Sequence, residues 1–126
     1  FMETIFSELF SDLHLATYKN SNKFKKFLFN TKQNAILVFY IASQKSYQAT
    51  LEQVCFNISP KVVSRSTIQN TLKDGVAIGF FVKKTNQKDK RAKFYKISDD
   101  ALKTLEEWAE KQRSVFTDNL NKKFLA

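Results

Sequence analysis

The stretch "SRSTIQNTLKDGVAIGFFVKKTNQKDKRAKFYKIS", residues 64–98, decides the fold. In its first half Ile68, Leu72 and Val76 recur every four residues, leaving Arg65, Ser66, Thr67, Gln69, Asn70 and Lys73 on the other face of a helix. One side is made to pack; the other is polar without being uniformly charged. Gly79 suits the left-handed stop at the end of such a helix. After it, "FFVKKT" and "AKFYKIS" read as two strands joined by the basic, polar "NQKDKR". The pattern therefore predicts a helix over about residues 64–78, then a β-hairpin with a positively charged tip at residues 86–92.

Working outward, residues 2–18 set Ile5, Leu9 and Leu13 beside Phe6 and Phe10 at spacings of three and four, which predicts an amphipathic helix with a wide apolar stripe. Residues 20–22 break it, and residues 23–30 predict a short helix or ordered connection. Thr31 can cap a helix running to about residue 43, whose "AILVFYIA" is apolar nearly all round and so belongs at the centre of the domain. A further helix is expected over residues 48–57, with Leu51, Val54, Cys55 and Ile58 inward and Ser59 and Pro60 ending it. Ser98 caps a long last helix with Asp99 and Asp100 at its positive end and Ala101, Leu102, Leu105, Trp108 and Ala109 inward. Val115, Phe116, Leu120 and Phe124 extend that helix, while Phe39, Tyr40, Phe80 and Phe81 are expected in the core.

Length and composition narrow the function classes. A chain of 126 residues with one Pro and two Gly fits one well-packed, helix-rich domain. Cys55 has no partner for an internal disulfide and reads as a small core residue; His14, beside an apolar stripe, reads as a core-edge or interface residue. With one His and one Cys, no metal set is expected, and no cofactor. The longest apolar run, residues 35–42, is far short of a bilayer span, and residues 1–18 are acidic, so a cytoplasmic location is expected. Complete Ser/His/Asp or Cys/His sets, a phosphate-cradling glycine loop and a paired-carboxylate motif are all missing, so the chain is not expected to be an enzyme.

The net charge of +9 is local: residues 1–18 sum to −3, 19–33 to +5, 34–60 to 0, 61–96 to +8 and 97–126 to −1. Lys61, Lys73, Lys83, Lys84, Lys93 and Lys96 surround the tip cations Lys88, Lys90 and Arg91, and Lys19, Lys23, Lys25 and Lys26 form a second cluster. A basic stripe flanked by neutral or acidic helices is the footprint of a face for a polyanion, most often nucleic acid. Two short helices, a polar-faced third and a basic two-stranded hairpin together predict a mainly α fold with a small β-hairpin, a winged helix-turn-helix. A helix fits the major groove, where Gln and Asn read adenine and Lys or Arg read guanine, and the wing brings charge to the neighbouring minor groove.

The same residues resemble the MarR-type winged-helix transcriptional regulators. That family opens its recognition helix with Ser-Thr-Val, here "STI" from Ser66, and has Gly thirteen positions on, here Gly79. Asp-x-Arg-Ala follows after ten more, here "DKRA" at residues 89–92, and Leu-Thr caps the last helix, here Ile97 and Ser98. Gly75 stands where the family usually has a core Leu, which implies a kink, an early end or an unusually close neighbour. Residues 51–66 are about five longer than the usual helix and turn, enlarging the loop "NISPKVVSR", and Ala101 replaces a common Gly.

The resemblance implies one domain over residues 1–126, with 32–98 the winged core and 1–30 and 99–126 helical dimerisation elements. It implies a homodimeric, sequence-specific regulator of double-stranded DNA, a repressor. Ser66, Thr67, Gln69, Asn70 and Lys73 would face the major groove, Arg65 a phosphate, and Lys88, Lys90 and Arg91 the minor groove. Asp89 would shape the wing by pairing with a neighbouring cation. Leu9, Phe10, Leu13, Phe116, Leu120 and Phe124 would form the dimer interface, near which relatives often sense a small hydrophobic effector. Two alternatives share these features: a winged-helix assembly module whose basic face meets an acidic protein, and a non-specific architectural DNA binder.

Overall fold

The computed structural model of the chain describes residues 2–16, 22–85, 88–89 and 91–125, with side chains as far as residue 118. The elements run α1 (Met2–Ala16), α2 (Lys23–Leu28), α3 (Lys32–Ala42), a 3-10 turn (Lys45–Tyr47), β1 (Gln48–Thr50), α4 (Leu51–Asn57), α5 (Arg65–Ala77), β2 (Phe81–Thr85), β3 (Lys93–Ile97) and α6 (Asp99–Leu125).

Short polar side chains set the helix starts. Thr31 Oγ1 accepts from the Asn34 N–H at 3.0 Å to open α3, and Ser64 Oγ accepts from the Thr67 N–H at 3.2 Å to open α5. At α4 the cap is reciprocal: the Gln53 N–H donates to Thr50 Oγ1 at 3.1 Å and the Thr50 N–H to Gln53 Oε1 at 2.8 Å. This box corrects the expected helix over residues 48–57. It starts the helix at Leu51 and leaves Gln48–Thr50 extended, paired antiparallel with β3. The sheet is therefore three-stranded, in the order β1-β3-β2, rather than a bare hairpin.

Leu37, Val38 and Ile41 make α3 the buried centre, as its all-round apolar pattern requires. Val54, Ile58, Val63, Ile68, Leu72, Phe80, Phe81, Ile97, Ala101 and Leu105 close around it. Each large side chain buried there contributes about 1.5–3 kcal/mol. Gly75 does not kink or end α5; it allows a close neighbour. A Cβ there would stand 2.6 Å from Phe81 Cε2, closer still to Phe81 Cδ2, and 3.1 Å from Phe27 Cζ. Gly79 takes the expected left-handed conformation (φ +81°), its N–H donating to Val76 O at 3.1 Å while the Phe80 N–H donates to Gly75 O at 2.8 Å. Ser98 ties this turn to α6: its hydroxyl donates to Gly79 O at 2.6 Å and accepts from the Ala101 N–H at 3.2 Å.

The wide stripe of α1 divides. Ile5 and Ala16 are buried, Leu9 is half-buried, and Phe6, Phe10 and Leu13 are exposed, Phe10 by 66%. The inward row includes Asp12, 8% exposed, whose carboxylate accepts from Lys111 Nζ at 2.9 Å and Gln112 Nε2 at 2.7 Å on α6. Two inward expectations fail: Ala109 is exposed, and Phe39 is partly exposed because it stacks on Trp108 (centroids 5.8 Å apart, planes 19° apart) rather than entering the core. Among the described residues no helix is long and apolar enough to cross a membrane.

Candidate nucleic-acid interface

Strand pairing decides which cations share a surface. Phe81 pairs with Ile97, Lys83 with Tyr95 and Thr85 with Lys93, and cross-strand partners lie on the same face of a sheet. That face is core at its base, where Phe81 and Ile97 are buried, and open towards its tip. Lys84 and Lys96, one residue out of step, fall on the opposite face with Val82 and Phe94.

The open part of this face, with α5 and the start of α4, walls a cleft of about 740 Å³. Gln69, Lys73 and Val76 line it from α5, Lys83, Lys93 and Tyr95 from the strands of the wing, Arg91 and Ala92 from its tip, Thr50 from the end of β1, and Leu51 and Glu52 from α4. Leu51, Val76, Ala92 and Tyr95 give it apolar walls; Lys73, Lys83, Arg91 and Lys93 ring it with positive charge. Two of these cations are steadied locally: Lys83 Nζ lies 5.8 Å from the Tyr95 ring centroid, and Lys93 Nζ donates to Thr85 Oγ1 at 3.1 Å.

The polar residues of α5 separate into groups. Ser66, Gln69, Asn70 and Lys73 are exposed, with Gln69 and Lys73 turned to the cleft. Thr67 is half-buried and belongs to the helix cap: its N–H donates to Ser64 Oγ, and its own Oγ1 accepts from the Ser64 hydroxyl at 2.9 Å. Ser66 Oγ lies 3.2 Å from the same hydroxyl. Arg65 does not stand free, because Glu52 on α4 takes its guanidinium at 2.6 Å through Nη2 and 3.4 Å through Nη1. The hydrogen bond from Arg65, and then its charge, hold the Glu52 carboxyl below the usual carboxylate range.

At the wing, Lys88 and Arg91 are exposed, and Lys90 lies outside the described residues. Asp89 shapes the turn through the backbone: its Oδ1 accepts from the Arg91 N–H and its carbonyl from the Ala92 N–H, each at 3.0 Å. In the terminal helices Phe10, Leu13 and Phe116 are exposed and Leu9 half-buried, and the side chains of Leu120 and Phe124 lie outside the described residues. His14 is exposed with its ring 5.3 Å from that of Phe10, on the outward side of α1. Lys83, Lys93, Tyr95 and Glu52 are among the cleft residues not singled out as contacts from sequence; strand alternation could have found the first three, as Lys83 and Lys93 follow the period set by Phe81 and Ile97.

No family model matches the chain, and no curated protein does. Among solved structures the chain is similar to AbsC, a MarR family transcriptional regulator from Streptomyces coelicolor. The TM-score is 0.54 over 95% of this chain and 76% of that one, at 12% identity. The fold is the MarR-like winged helix. In it α4 and α5 form the helix-turn-helix pair, β2 and β3 are the wing, and α1 packs on α6 at the opposite end of the chain's order. The connection between α4 and α5 buries Ile58 and Val63, with the Val62 and Val63 N–H groups both returned to Ser59 O.

Proposed function

We propose that the chain is a sequence-specific regulator that binds double-stranded DNA as a homodimer and acts as a repressor. The observation that carries this reading is the cleft, which Gln69 and Lys73 of α5 share with Arg91 at the wing and Lys83 and Lys93 on its strands. In this reading Ser66, Gln69, Asn70 and Lys73 meet base edges in the major groove. Lys88, Lys90 and Arg91 follow the adjacent backbone and minor groove. The exposed Phe6, Phe10, Leu13 and Phe116 lie on α1 and α6, the terminal helices that pair subunits in the family resembled, and a two-fold pair would set two recognition helices about 34 Å apart. A small hydrophobic effector would bind near the dimer junction formed by these terminal helices, as in relatives of the family resembled.

Selection from a random duplex pool, followed by titration of the selected and scrambled duplexes, tests the reading. The expected result is a pseudo-palindromic site bound at least about a thousandfold more tightly than scrambled sequence. Equal binding of both would replace it with a non-specific architectural role. A protein-assembly role draws on Phe56, 89% exposed on α4; monomeric protein without affinity for any duplex would favour it.

A further inference from the structure

Of the described residues lining the cleft, Glu52 is the one acid among four cations. Its carboxylate does not face those cations as a free charge, because it engages Arg65, thirteen residues on, with both oxygens. The two side chains are 75% and 52% exposed, so the pair is open to solvent and to any anion that reaches α5. An exposed pair of this kind is weakly held. A phosphate offers the guanidinium the same two-oxygen geometry with more charge, and can displace the carboxylate.

We propose that Glu52 masks Arg65: it occupies, as an internal substitute for phosphate, a cation that would otherwise join the non-specific contact to any polyanion. Arg65 then reaches a phosphate only when α5 is seated closely enough for that phosphate to expel Glu52. Loosely bound, sequence-independent complexes lose one contact, and seated complexes keep it. This rests on the duplex-binding reading above, and deepens it by naming the residue that holds down the electrostatic part of binding.

The test compares the whole chain with Glu52→Gln, Arg65→Ala and the double variant, first against scrambled duplex over a salt series. Glu52→Gln should steepen the plot of log K against log salt by about one, the value of one further phosphate contact. Arg65→Ala alone should leave the slope almost unchanged, and adding it to Glu52→Gln should abolish the gain. A gain that survives in the double variant would mean that Glu52 acts only by its charge. A slope flattened by about one in Arg65→Ala alone would mean that Arg65 is never masked; either result overturns the proposal. Elution from immobilised heparin supplies a readout that does not depend on DNA recognition: Glu52→Gln should leave at higher salt than the wild type and the double variant alike. That heparin shift without duplex binding would uphold the mask and defeat the duplex reading, whereas intact duplex binding without the shift would defeat the mask alone.

Discussion

At the base of the wing, Phe81 and Ile97 stand opposite one another inside the core; two residues along the same sheet face, Lys83 and Tyr95 stand opposite one another in an open cleft. Both regions come from one short stretch of chain, yet they respond to different physics. The base is packed so closely that a single methyl group on Gly75 has nowhere to go. The cations of the cleft, Lys73, Lys83, Arg91 and Lys93, are exposed, and substituting them changes charge and shape but creates no cavity. Stability should therefore be concentrated in the first region, and polyanion affinity in the second.

Substitutions can break that division. Phe80→Ala should have the largest effect: Phe80 is fully buried, with its ring centroid 4.9 Å from that of Phe27 and 5.0 Å from that of Phe81, and its loss should cost about 3–5 kcal/mol in urea unfolding. Gly75→Ala comes next. Helix propensity alone favours Ala by about 1 kcal/mol, but the contact with Phe81 reverses the sign, and a net loss of about 1–3 kcal/mol is expected. A stabilised Gly75→Ala protein would show that the junction has slack. Lys73→Ala with Arg91→Ala, both in the cleft, should change unfolding free energy by no more than about 0.5 kcal/mol.

The same contrast explains what could be read from the sequence. Elements set by local rules were legible: the period of α5, the caps at Thr31 and Ser98, the left-handed stop at Gly79 and the two strands of the wing. β1 was not, because a three-residue strand is too short to show a period, and only its pairing with β3 makes it a strand. The sign was there in Thr50 and Gln53, spaced as a reciprocal helix cap. Contacts between distant residues were hidden for a different reason. Asp12 reads as solvent-facing until Lys111 and Gln112 arrive from α6, and Arg65 reads as free until the α4–α5 turn brings Glu52 to it. Within the candidate site, the types of residue were visible in order along the chain, but which cations share a wall was fixed by register. Lys83 and Lys93 line the cleft; Lys84 and Lys96 are on the far face of the sheet.

The central claim is that α5 and the wing form one surface that neutralises DNA phosphate together. The most direct measurement is the salt dependence of duplex affinity for wild type against Lys73→Ala with Arg91→Ala, each confirmed folded by its unfolding curve. The account predicts a slope flatter by about two in the double variant, with stability unchanged. An unchanged slope, with both proteins folded and bound to DNA, would contradict it.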